Sequence, residues 1–139
     1  IIAERKKQVP GLHKLGTDMA VPDQYLAEIW RLYQSRCEEL NLEWYAFGHI
    51  GNNHLHVNIL PRDMQDLARG MELYQSFAHR VVELGGSVSA EHGIGKIKGK
   101  FLRLMYSPDD IQQMRMVKTA LDPDGILNPG DIFPVEAAQ

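Results

Sequence analysis

The sequence predicts an α+β fold, a ferredoxin-like sandwich in which a largely antiparallel sheet carries helices on one face. Three observations lead there. Residues 55–60 alternate, with Leu55, Val57 and Ile59 pointing one way and His54, His56 and Asn58 the other. The aromatic and apolar run 43–50 lies just upstream across Gly51-Asn52-Asn53, so the pair reads as a hairpin. Helical stripes stand before and after this hairpin, which mixes helices and strands in the order of an α+β sandwich.

The elements follow in chain order. Residues 1–10 are charged, break at Pro10-Gly11, and read as the end of a preceding element. A loop follows, then a short extended piece at Met19, Ala20 and Val21 before Pro22. Pro22-Asp23 opens a helix whose Leu26, Ile29, Trp30, Tyr33 and Cys37 keep helical spacing to about Leu40. Pro61 ends the hairpin. Residues 63–84 form the longest helix, with a stripe of Leu67, Met71, Tyr74, Phe77, Ala78, Val81 and Val82 closed by Gly85-Gly86. Residues 87–92 read as a short strand and 93–100 as a glycine-rich, basic connection. Phe101 to Tyr106 can form a turn or two of helix. Ser107 then caps a helix with Pro108 at its first position, running to about Leu121. The remainder is turn-rich and expected to be extended over the surface.

Length and composition bound the function. The chain has 139 residues, 44% hydrophobic and 24% charged, which suits one domain with a real core. Net charge is −3 with scattered Lys and Arg, so nucleic acid is a poor partner. No apolar run approaches the roughly 18 residues of a membrane span, and the start lacks a signal-peptide pattern. A cytoplasmic setting, at most membrane-peripheral, is expected. Cys37 is the only cysteine, so an intrachain disulfide is impossible. It lies in a helix with no histidine placed locally to activate it, and is expected to be a structural thiol. A chain that begins at Ile1 is expected to be part of a longer protein.

Of the six histidines, His49, His54, His56 and His92 fall in two short polar, glycine-rich segments, while His13 and His79 sit in a loop and a helix. His54 and His56 share a strand face, and His49 can fold back beside them. Imidazoles bind borderline metals, and a carboxylate commonly completes such a site; Glu91 is the attractive candidate. His92 follows it directly and has the chemistry of a general base. Spacing alone leaves a second reading open, a solvated strand face, with His92 a turn residue. The segment 93–99 misses the dinucleotide fingerprint by one residue and lacks its strand–turn–helix unit.

Four ordered segments resemble one family. GHIGNNHLHVN (48–58), SAEHGIGKIK (89–98), LDPDGILNPGDIF (121–133) and TDMAVP (17–22) are similar to motifs of the C-terminal domain of FAD-linked oxidases of the vanillyl-alcohol-oxidase type. Within that family the motifs resemble those of D-lactate, glycolate and D-2-hydroxyglutarate dehydrogenases. The resemblance implies a small 2-hydroxy acid as substrate, FAD as cofactor and a divalent metal, zinc by preference. It implies His49, His56 and Glu91 as metal ligands and His92 as the base. Asn58 and Arg5 would meet substrate, and Asn128 would lie near the flavin. Residues 1–139 would then be one C-terminal substrate- and metal-binding domain, with the FAD-binding domain upstream. The electron acceptor stays open, and a homo-oligomer is compatible. Two departures stand out. The family carries Asp-Gly-Asn where this chain has Asn52-Asn53-His54, so His54 is no family ligand. It carries Lys at the position of Asp131. The competing readings are a stand-alone metallohydrolase and a non-catalytic module that binds a small acid.

Overall fold

The computed structural model describes residues 1–133. Elements follow in the order α1 (Ile2–Gln8), β1 (Leu15–Gly16), β2 (Met19–Ala20), a 3-10 turn (Asp23–Tyr25), α2 (Leu26–Glu39), β3 (Trp44–His49), a 3-10 turn (Ile50–Asn52), β4 (His54–Ile59), α3 (Met64–Glu83), α4 (Gly95–Met105) and α5 (Pro108–Leu121). The chain divides into two compact units, Ile1–Glu91 and His92–Gln139.

In the first unit β4 is the central strand. It pairs antiparallel with β3 on one side and with β1 and β2 on the other. β1 and β2 hold the same register against β4, Leu15 opposite Ile59 and Ala20 opposite His54. They are therefore one strand interrupted at Thr17-Asp18, where the Thr17 hydroxyl takes the Val57 N–H at 2.9 Å in place of a ladder bond. That register sets Asp18 opposite His56. The expected fourth strand at 87–92 is reduced to one bridge between Ala20 and Ser87. Pairing stops there because the chain bends: Ala90 N–H reaches the Asp18 carbonyl and Glu91 N–H reaches the Asp18 side chain. The order bridge–β1/β2–β4–β3, with α2 and α3 as the connections, is the ferredoxin-like plan with a rudimentary last strand.

Alternation on β4 separates two faces. Leu55, Val57 and Ile59 share theirs with Trp44, Ala46 and Met19, and α2 and α3 cover it. Tyr33 packs edge-on to Phe77 at 4.6 Å and donates to Met19 Sδ at 3.7 Å. Trp30 meets Trp44 at 5.8 Å. The buried face of α3 runs through Leu67, Gly70, Leu73, Phe77, Ala78 and Val81, which shifts the expected stripe. Met71 is exposed, because Gly70 lets the helix approach Leu15 and Ile59 closely; a Cβ there would stand 2.9 Å from Leu15 Cδ1. Cys37 is fully buried and its thiol is pushed up to about 12 by burial, as suits a structural cysteine.

The start of α3 is held by charge. Asp63 caps it by accepting from Asp66 N–H at 2.8 Å. The buried Asp66 carboxylate accepts from Arg62 Nε at 2.6 Å and from Arg69. These hydrogen bonds, Arg62 foremost, lower its pKa from 3.8 to about 2. The folded state thus binds fewer protons than the unfolded one in that window. The stabilisation is complete above about pH 4 and is lost as pH falls towards 2. Asp66→Asn is expected to cost about 1–2 kcal/mol, discounted because both arginines are half-exposed, and to flatten the acid limb of the stability curve. Urea melts at pH 7 and pH 3 check both.

In the second unit, α5 begins with Ser107 as cap and Pro108 in its first turn, as the sequence predicts, and Asp110 completes a capping box with Ser107. α4 corrects the expectation of a loop at 93–100. It starts at Gly95 and buries Lys98, Phe101 and Leu102 at helical spacing, which outweighs the cost of Gly99 inside it. The tail after Leu121 is folded into turns around Asp122, whose carboxylate accepts from Ile126 N–H at 2.9 Å and Leu127 N–H at 3.0 Å. Its last residues, 134–139, lie outside the described part.

Candidate metal centre

Within the first unit, the site lies on the sheet face opposite α2 and α3. Cross-strand partners point the same way, so Tyr45, Phe47 and His49 of β3 stand beside Asn58, His56 and His54 of β4. Gly48 makes this closeness possible, since a Cβ there would stand 2.0 Å from the His54 carbonyl oxygen. Asp18 comes from the interruption between β1 and β2, and Glu91 from the segment tied to it by the Ala20–Ser87 bridge.

Histidine nitrogens surround one oxygen of Glu91, although His49 is not among the four residues whose donor atoms all lie within 4.8 Å of one another. Glu91 Oε2 lies 3.5 Å from His56 Nε2, 3.6 Å from His49 Nε2 and 3.7 Å from His54 Nδ1. These are too long for hydrogen bonds. They match the spacing of about 3.4 Å between ligands that surround one ion tetrahedrally with bonds of 2.0–2.2 Å. Asp18, His54, His56 and Glu91 each offer a ligand atom, all within 4.8 Å of one another. Asp18, His54 and His56 are buried and form the floor; His49 and Glu91 are 61% and 49% exposed and form the rim. A cleft of about 510 Å³ is lined by His49, His54 and Glu91 with Ser87 and Ser89.

Hydrogen bonding and burial set the state of the two floor imidazoles. His56 Nδ1 lies 2.8 Å from the Thr17 carbonyl, which can only accept. Nδ1 therefore carries the proton and Nε2 presents its lone pair towards Glu91. The His54 pKa is lowered, first by burial and then by the neighbouring His56 ring at 4.2 Å, against the opposing pull of Asp18 and Glu91. The lowering favours the neutral imidazole, the form that ligates. Imidazole nitrogens with one carboxylate fit a borderline divalent cation such as zinc.

The other expected site residues are placed as follows. Asn58 is buried on the same face, two positions beyond His56, and donates to the His56 carbonyl at 3.4 Å. Arg5 lies on α1 and is engaged by Glu43 at 2.6 Å and by the Leu60 carbonyl at 2.9 Å. His92 is exposed and opens the second unit. Asn128 is in the tail with a left-handed backbone, φ 45°. Sequence reasoning passed over Asp18. The available signal is an acid inside an otherwise apolar extended segment, at the register that faces the His-x-His strand.

An α+β sheet face that gathers histidine and carboxylate donors is of the class that could hold a metal ion. Residues 3–132 match the family model described as FAD linked oxidases, C-terminal domain, and the chain belongs to that family. It is 37% identical over 113 residues to a D-2-hydroxyglutarate dehydrogenase of Stutzerimonas stutzeri, covering 78% of this chain and 24% of that protein. It is 35% identical over 115 residues to a D-lactate dehydrogenase of Archaeoglobus fulgidus, covering 83% and 26%. It is 29% identical over 122 residues to the glycolate oxidase subunit GlcD of Bacillus subtilis, covering 86% and 26%. The chain thus spans about a quarter of the length of these relatives. Among the described residues, no helix is long and apolar enough to cross a membrane.

Proposed function

We propose that this chain is the substrate- and metal-binding part of a flavin-dependent dehydrogenase that oxidises a small 2-hydroxy acid to the 2-oxo acid. The observation that carries the reading is the convergence of histidine nitrogens on Glu91 Oε2 at 3.5–3.7 Å. The relatives' names, all 2-hydroxy-acid enzymes, support the substrate class. In this reading FAD is bound mainly by an upstream domain, and the setting is cytoplasmic.

His49, His56 and Glu91 hold a divalent cation, zinc by its liking for imidazole with carboxylate. When bound, the cation supplies positive charge that makes a neighbouring substrate hydroxyl more acidic. FAD supplies the acceptor for the hydride that leaves C2. The chain's own groups do the rest. His92 removes the hydroxyl proton on an imidazole nitrogen, so that proton and hydride depart to different acceptors and the C2–O bond becomes a carbonyl. Asn58 orients the substrate from the floor of the sheet face. Arg5 serves the substrate carboxylate as a bidentate anchor, which requires it to exchange Glu43 for substrate. Asn128 faces the flavin side.

The intact flavoprotein tests this. Anaerobic addition of D-lactate, glycolate or D-2-hydroxyglutarate is expected to bleach the flavin with at least one of them. The bleaching should vanish after chelator treatment and return with zinc. Flavin reduction that ignores the chelator, or that none of these acids elicits, overturns the reading.

A further inference from the structure

His54 is the site residue to which the proposed roles give no task, yet it is the most deeply enclosed imidazole of the cluster. Its side chain is 4% exposed, against 7% for His56 and 61% for His49. We propose that His54 is a third histidine ligand of the same cation, presenting Nδ1, and that Asp18 is the residue that positions it. The proposal rests on the metal reading above.

Three observations carry it. First, His54 Nδ1 lies 3.7 Å from Glu91 Oε2, within 0.2 Å of the corresponding distance for His56 at 3.5 Å. An imidazole that merely filled space beneath the site would have no reason to share that spacing.

Second, the far nitrogen faces a buried carboxylate. His54 Nε2 lies 2.9 Å from Asp18 Oδ1. The carboxylate is acceptor-only when ionised, so the ring proton belongs on Nε2 and the lone pair on Nδ1. The contact is short but not aligned as a hydrogen bond, and Nε2 has no other hydrogen-bond partner among the described residues. A buried imidazole left in that condition is costly. Coordination at Nδ1 would leave Nε2 facing Asp18, make its N–H more acidic and so strengthen that contact.

Third, Asp18 is fixed to the same framework as the ligands. The Glu91 N–H reaches its Oδ1 at 3.2 Å, the Ala90 N–H reaches its carbonyl at 3.1 Å, and its register faces His56. The arrangement repeats what Thr17 does for His56. Each buried imidazole turns one nitrogen to a fixed acceptor on the interrupted strand and the other towards Glu91. Three imidazoles and one carboxylate would fill four positions, so a chelating hydroxy acid would raise the coordination number or displace a ligand.

The test is zinc binding by the protein with and without His54. Affinity is read by competition with a chromophoric chelator, and imidazole count by zinc X-ray absorption. His54→Phe keeps the ring shape without nitrogens. His54→Gln is the second variant, because its amide can reach Asp18 but not the Nδ1 position. Each is expected to bind zinc more weakly by about 10-fold or more, with one fewer imidazole. Asp18→Asn is expected to weaken binding by about 10–100-fold with the imidazole count unchanged. Wild-type affinity and imidazole count in whichever His54 variant keeps the native circular dichroism overturns the proposal. Absence of zinc binding by the unsubstituted protein overturns both this proposal and the metal reading beneath it. His49→Ala separates the two: its loss of zinc together with an unaffected His54→Phe sinks His54 alone.

Discussion

Replacing His49 with alanine is expected to lower zinc affinity by about 100-fold or more, roughly 2.7 kcal/mol, while the protein keeps its fold. The size follows from the role. Loss of an outer partner of a metal ligand already costs about 10–100-fold, and loss of the ligand itself should exceed that. The absence of a folding penalty follows from placement, because the His49 side chain is 61% exposed at the end of β3. His56→Ala should show the same loss of zinc with an added stability cost, since His56 is buried and donates to the Thr17 carbonyl. The comparison separates ligation from structure. Competition titrations with a zinc chelator, run beside thermal melts, check it. Unchanged affinity in His49→Ala would remove it from the ligand set and leave the buried residues to account for any metal bound.

The second large effect concerns His92. In the intact flavoprotein, His92→Ala is expected to lower the rate of flavin reduction by about 10²–10⁴-fold, the range for a positioned general base. Metal content should be unchanged, because the donor atoms that converge on Glu91 come from residues of the first unit. His92 is exposed, so its removal leaves no cavity. A base also leaves a mark on the pH profile. The acid limb of kcat/KM should disappear in the variant, whereas a residue that only stiffened the chain would scale the whole profile. Near-normal reduction rates in His92→Ala would end its assignment as the base.

The parts of this molecule that were legible in the sequence are those set by short-range pattern. Alternation over 55–60 gave β4 its two faces, and the register then placed His49, His54 and His56 side by side. Ser107 and Pro108 marked the start of α5 because capping needs only neighbouring residues. What was missed depends on distant partners. Asp18 joins the cluster only through its pairing with β4, some 38 residues away in sequence, and no local periodicity marks it. The phase of α3 shifted because Gly70 permits close packing against Leu15, which a count of apolar residues cannot register. The glycines of 93–99 suggested a loop, yet burial of Lys98, Phe101 and Leu102 at one helical face prevails. The reading of the histidines sharpened in the same way. Motif resemblance left His54 outside the ligand set, and the geometry puts its Nδ1 3.7 Å from Glu91 Oε2, beside the Nε2 atoms of His49 at 3.6 Å and His56 at 3.5 Å.

The sheet face opposite α2 and α3 is expected to hold one divalent cation between histidines and Glu91. Metal analysis with zinc X-ray absorption on the unsubstituted protein addresses it most directly. The expected result is one zinc per chain, with nitrogen and oxygen ligands at about 2.0–2.2 Å and at least two imidazoles among them. A protein that takes up no stoichiometric divalent metal, or whose metal shell contains no imidazole, would contradict it.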